Sequence, residues 1–132
     1  MSSRIKAVTI FASAAAVVGS VVYAPAAYAA GTCSSGMVCV WRDAGETGPK
    51  YQWIQGDVDV NFRGETYTNS SSSLNDSITS AINHTNRTVW FYTDSRYCGD
   101  SYGVAAGATV HFTSPYQDSL SSMSSNGNLA CF

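Results

Sequence analysis

Two hydrophobic patterns follow one another along the chain. From Ala7 to Val22 the residues are almost wholly small or apolar, behind two cations, Arg4 and Lys6. Pro25 breaks this run, and Ala27-Tyr28-Ala29 supplies the small-x-small pattern that a signal peptidase reads. These features predict a secretory signal over 1–29. The run falls short of the roughly 20 residues a membrane span needs, and no cationic stop-transfer cluster follows it. Beyond Ala29 the pattern changes to short β-branched or aromatic runs: Met37 to Trp41, Tyr51 to Ile54, Ile78 to Ile82, Val89 to Tyr92 and Thr109 to Phe112. Each is bounded by Gly, Asp, Asn or Ser, which predicts strands and turns. No stretch sustains a capped helical period. Asn69 to Ser73 reads as a polar connecting loop, and Trp41, Trp53 and Trp90, all in strand-like runs, read as core.

Composition sharpens this picture. A chain of 132 residues holds one domain at most, here expected over 30–132, and its 45% apolar share belongs partly to the signal. Past Ala29 there are nine acids against five cations, scattered at Arg42, Lys50, Arg63, Arg87 and Arg96. Such a chain lacks the basic stripe that phosphate contacts require, so neither nucleic acid nor an anionic membrane surface is expected as a partner of the mature domain. The four cysteines, an even number in an exported chain, predict two disulfides out of three possible pairings. Cys33 and Cys39 flank a short glycine-bearing segment that can close locally, which leaves Cys98 with Cys131. No CxxC pair or Cys/His cluster points to zinc.

An internal repeat carries more information. Asn75-Asp76-Ser77-Ile78-Thr79-Ser80 recurs 42 positions later as Gln117-Asp118-Ser119-Leu120-Ser121-Ser122. Upstream of each copy stands a hairpin signal, Tyr92-x4-Tyr97-x-Gly99 in full and Trp41-x4-Glu46-x-Gly48 with Glu46 in place of the second aromatic. An aromatic-x4-aromatic-x-Gly hairpin followed by [Asn/Asp]-[Asn/Asp]-x-x-[Ser/Thr]-Ser resembles the motif pair of β/γ-crystallin domains. The opening Cys33-x5-Cys39 with Val40-Trp41, directly after a signal, resembles one secreted branch of them, the bacterial peptidase-inhibitor family typified by the Streptomyces metalloproteinase inhibitor. The resemblance implies an all-β, β/γ-crystallin-like sandwich of two Greek-key motifs, about 37–86 and about 87–132, stapled by disulfides. It also implies that the hairpin aromatics pack over the turn and that Gly48 and Gly99 take backbone conformations closed to other residues.

Catalysis is not expected. His84 sits among turn residues and His111 in an alternating strand, without a nucleophile elbow or paired ligand spacing. Calcium is a possible cofactor: the loop Asn75, Asp76, Ser77, Thr79 offers a carboxylate, a carbonyl and a hydroxyl on one arc, as a hard cation prefers. The resemblance implies that these ligands meet Asp118, the Ser119 carbonyl and Ser121 in two paired sites, the second weakened by the uncharged Gln117. With so few charges, affinity belongs at about 10⁻⁴–10⁻³ M. The resemblance also implies inhibition of an extracellular protease, with a reactive segment beyond the second hairpin. That region reads Arg96-Tyr97-Cys98-Gly99-Asp100-Ser101-Tyr102 and holds one Cys. The candidate contact loop is therefore Asp94 to Tyr102, with Asp94, Arg96 and Asp100 around an anchor at Tyr97 or Tyr102; hairpin packing is the competing role of Tyr97. The reading is a secreted, monomeric metalloproteinase-inhibitor-like domain. A calcium-binding structural or stress protein of the same fold is its alternative, and a carbohydrate- or cell-wall-binding module is less well supported, since no tryptophan cluster is present.

Overall fold

The computed structural model describes residues 31–132; the expected signal, 1–29, lies outside the described residues. Among the described residues no helix forms, and none is long and apolar enough to cross a membrane. Eight strands form instead: β1 (Met37–Asp43), β2 (Thr47–Ile54), β3 (Val58–Asp59), β4 (Ser80–Asn83), β5 (Val89–Tyr92), β6 (Ser101–Val104), β7 (Thr109–His111) and β8 (Ser122–Ser124). They make two antiparallel four-stranded sheets, ordered β2-β1-β4-β7 and β3-β8-β5-β6. The third strand of each half crosses to the sheet of the other half, so β3 pairs with β8 and β7 with β4. That exchange locks the two Greek keys together.

Alternation along the strands decides what fills the space between the sheets. Val38 and Val40 of β1 and Ala81 of β4 face Phe91 of β5, Val104 of β6 and Met123 of β8, and Ile78, Leu74 and Leu120 complete the packing from the loops. An aromatic chain crosses this core, with Trp53 stacked on Phe62 at 5.4 Å and Phe91 edge-on to Phe112 at 5.5 Å. Trp90 departs from expectation. It is half-buried, because it alternates out of the core between Val89 and Phe91 and covers its cross-strand neighbour Gly103 on the outer face. Of the expected strands, the one drawn over Ile78 to Ile82 begins at Ser80, and β3, β6 and β8 were not signalled.

Residues 31–36 cover one outer face and the C-terminal segment the other, and each cover is held by a disulfide. Cys33–Cys39 fixes residues 31–36 across the outer face of β1, where Gly31 lies against the Trp41 ring and Met37 and Ile82 complete a second apolar cluster. Lys50 clamps this segment by donating to the Thr32 carbonyl at 2.6 Å while its ammonium stands 5.7 Å from the Trp41 ring centre. On the opposite sheet Cys98–Cys131 holds the C-terminal segment. There the Leu129 N–H donates to the Tyr92 hydroxyl at 2.8 Å, that hydroxyl donates to Asn128 Oδ1, and Phe132 packs on Tyr97. Both disulfides join the cysteines that the spacing paired.

Candidate functional site

The two repeated motifs meet across a pseudo-twofold axis at one end of the sandwich, and their hydrogen bonds repeat pair by pair. The Asp76 N–H donates to the Leu120 carbonyl at 3.0 Å, and the Asp118 N–H to the Ile78 carbonyl at 3.1 Å. Ser121 Oγ donates to Asp76 Oδ1 at 3.2 Å, and Thr79 Oγ1 to Asp118 Oδ1 at 3.3 Å. Both aspartates take left-handed backbone angles, φ 57° and 55°, which Asp tolerates better than most side chains. The fourth motif position, Ile78 or Leu120, is core. The last position explains itself too: Ser80 Oγ donates to the Asp43 carbonyl and accepts from the Glu46 N–H, while Ser122 Oγ donates to the Asp94 carbonyl and accepts from the Tyr97 N–H. Each buried serine thus staples the hairpin of its own half. Within those hairpins Gly48 and Gly99 have φ of 82° and 78°, and a Cβ would collide with Asp43 or with Thr93.

Two clefts flank this junction. The larger, about 610 Å³, is lined by Asp76, Asp118, Ser119 and Ser121 together with Asp94 and Asp100 of the second hairpin and Asn61 and Arg63 of the segment after β3. The smaller, about 450 Å³, holds Asp76, Ser77, Thr79 and Asp118 beside Arg42, Asp43 and Ala44 of the first hairpin. The structure therefore joins the loop residues named for calcium with two of those named for protease contact. Asn75 stands beside them, its amide donating to Asp76 Oδ2 at 2.8 Å. Ser77 turns its hydroxyl away, donating to the Ser73 carbonyl and meeting the Tyr67 hydroxyl at 2.9 Å. Burial pushes the Tyr67 phenol up to about 12, so it stays protonated in that contact. The neighbours Asn61, Arg63 and Asp43 were missed, because their part is set by tertiary placement.

The donor set suits a hard cation in kind: carboxylate, hydroxyl and carbonyl oxygen only. Among the described residues none donates to the Ser77 or Ser119 carbonyl, and Asn75 Oδ1 is buried without a partner. No group of three His, Cys, Asp or Glu side chains converges among the described residues. Charge at each site is correspondingly low.

The second hairpin does not present the aromatic anchors expected of it. Tyr97 is 8% exposed, packed between Tyr92 and Phe132, and Tyr102 is half-buried edge-on to Phe112 and Tyr116. Only Asp94, Arg96 and Asp100 of the five named residues are exposed. In the first hairpin Glu46, standing in the second aromatic place, is buried and pairs with His111 of β7 at 2.7 Å. His84, exposed, has its ring nitrogen Nδ1 on the Cys33 carbonyl and so anchors the N-terminal cover.

Comparison with known proteins settles the family. The model of peptidase inhibitor family I36 matches residues 26–104. The chain belongs to that family. No curated protein matches it. Solved structures that share the fold include a domain studied for the evolution of the eye-lens βγ-crystallin fold, 23% identical with a TM-score of 0.59 over 72% of this chain and 89% of that one. A βγ-crystallin from Ciona intestinalis is 22% identical with a TM-score of 0.52 over 67% and 98%. Spherulin 3A from Physarum polycephalum is 20% identical with a TM-score of 0.52 over 72% and 86%. The family I36 match and the βγ-crystallin architecture agree with the motif pair: this is a peptidase-inhibitor-type chain on a two-motif sandwich, and the family implies a protease as partner in general.

Proposed function

We propose that the chain is a secreted, non-catalytic, monomeric inhibitor that presents a rigid segment to the cleft of an extracellular endopeptidase, with a metalloproteinase as the target class. The observation that carries this reading is the family match over 26–104. The architecture supports it. Exchanged strands and two disulfide-tied terminal covers leave little conformational freedom to lose on binding, so contact energy is not spent on ordering the inhibitor. Among the described residues no Ser, Thr or Cys side chain bonds to either imidazole, His111 meeting Glu46 and His84 the Cys33 carbonyl, so neither ring has a nucleophile to activate. The test is hydrolysis of a peptide substrate by thermolysin and, in parallel, by subtilisin, with increasing amounts of the exported protein. Stoichiometric loss of thermolysin activity is expected. Unchanged rates for both enzymes at molar excess would overturn the reading.

The mirrored Asp76–Ser121 and Asp118–Thr79 pairs favour a second reading, calcium binding that stiffens the same domain. Asp76 with Ser121 and the Ser119 carbonyl would hold one ion, and Asp118 with Thr79 and the Ser77 carbonyl the other, each ion neutralising charge between the two loops. Melting midpoints in millimolar calcium and in chelator test it. A rise of the midpoint in calcium that Asp76→Ala abolishes is expected, and equal midpoints in wild type would remove the idea.

A further inference from the structure

We propose that the segment which enters the protease cleft is the outer strand β3 with its flanks, Ile54 to Val60, and not the second hairpin; this rests on the inhibitor reading above. A protease binds its ligand as an extended strand, taking main-chain hydrogen bonds along the edge and reading side chains in subsites. An inhibitory segment must therefore be extended, held in place before binding, and furnished with apolar side chains that face solvent.

β3 itself, Val58–Asp59, is extended, and Ile54 and Val60 flank it, Ile54 across the tight Gln55-Gly56 turn that the Asp57 N–H closes by donating to the Ile54 carbonyl at 3.0 Å. Among the described residues only four large apolar side chains are exposed, and three of them lie here: Ile54 at 61%, Val58 at 45% and Val60 at 41%. Single exposed aliphatics are ordinary on a protein surface, but three within seven residues, where the outermost strands β2 and β3 join, are not. β3 pairs with β8 on one side only and has no strand on the other. The backbone is fixed from beneath. Asp57 Oδ2 accepts from the Ile54 N–H at 3.0 Å, and the Asp57 carbonyl accepts from the Ser125 N–H and hydroxyl at 2.9 and 2.8 Å. Asp59 accepts from Trp53 Nε1 at 3.0 Å and from the Asn61 N–H at 3.2 Å, and Asn61 Oδ1 accepts from the Arg63 N–H at 3.1 Å. Finally, the Val60 carbonyl accepts from the Arg96 N–H at 2.8 Å. Polar residues at 57, 59 and 61 thus hold the chain, while Val58 and Val60 between them stay exposed. The second hairpin offers the reverse, with its tyrosines inside and charges outside. The partner is accordingly an endopeptidase whose subsites take β-branched aliphatic side chains.

The test uses the full exported chain carrying Val58→Lys and Val60→Lys together, beside a hairpin control, Arg96→Ala with Asp100→Ala. Since Val58 and Val60 are exposed, the melting midpoint of the first variant should match wild type. Inhibition of thermolysin or subtilisin should weaken by roughly 30-fold or more, as for residues at the centre of an interface, while the hairpin control stays within about twofold. Hydrogen exchange in the wild-type complex adds a second readout, with amides of 57–61 slowed on binding. Wild-type inhibition that survives the double lysine variant, or that slows amides of 94–102 instead, overturns the assignment to β3 and leaves the inhibitor reading standing. Wild-type protein that inhibits neither enzyme overturns both.

Discussion

Replacing Glu65 by Gln should remove a pH dependence of stability that wild type carries between about pH 4.5 and pH 8. Glu65 lies beneath the segment after β3, with Oε1 3.5 Å from the Tyr51 hydroxyl and Oε2 buried without a hydrogen-bond partner. Burial, and after it the neighbouring Asp59 carboxyl, push its pKa from 4.5 up to about 7. Unfolded, the group releases its proton near 4.5; folded, it keeps it until about 7. Between those values the folded chain binds the extra proton, so raising the pH favours unfolding: the contribution is complete below about 4.5 and lost as pH rises through 7. For a fully enclosed carboxyl the gap would be worth about 3.4 kcal/mol. Glu65 is only partly enclosed, and solvent screening reduces the figure to about 1 kcal/mol. That corresponds to roughly 4–8 °C in Tm for a domain of this size. Circular dichroism melts of wild type and Glu65→Gln from pH 4.5 to 8 at constant ionic strength should diverge by this amount, with the variant the more stable at pH 8. Parallel profiles would refute the reasoning.

Ser122→Ala should lose about 1–3 kcal/mol in denaturant unfolding, because it strands the Asp94 carbonyl and the Tyr97 N–H in a buried place. Ser119→Ala, whose hydroxyl reaches only the Gln117 carbonyl, should stay within about 0.5 kcal/mol. Replacing Cys98 and Cys131 by Ala frees a loop spanning a sequence separation of 33 and should remove about 4 kcal/mol, against about 2 kcal/mol for the pair Cys33 and Cys39 with a separation of 6. Equal losses would show that contacts of the terminal covers outweigh chain entropy.

Much of the fold was legible because its signals are local. Gly48 and Gly99 announce hairpins through backbone angles that other residues avoid, and the repeated Asp-x-Ile/Leu-Thr/Ser-Ser places a turn former, a core residue and a stapling hydroxyl at fixed offsets. What escaped depends on partners distant in sequence. β8 is Ser-Met-Ser and reads as loop, yet it is wholly buried, since its hydroxyls bond the second hairpin and Gly127. β3 carried a readable alternation in Asp57-Val58-Asp59-Val60-Asn61, but at two paired residues it was too short to stand out. Trp90 was assigned to the core by residue type, although alternation between Val89 and Phe91 places it outside.

The duplicated hydrogen bonds also separate scaffold from recognition. Every motif position that repeats between the halves is accounted for by internal structure: Asp76 and Asp118 by the opposite loop, Ile78 and Leu120 by the core, Ser80 and Ser122 by the hairpins. Among features that do not repeat, Glu46 and the Cys33–Cys39 segment also have internal partners, whereas the exposed aliphatics have none. Ile54, Val58 and Val60 belong to the first half alone, and the corresponding places in the second half hold Ala105, Thr109 and His111. A symmetric scaffold needs both halves to fold, whereas a single bound protease needs one segment to enter its cleft. The departure from symmetry at β3 is therefore carried by those same exposed side chains, which the repeated scaffold does not require.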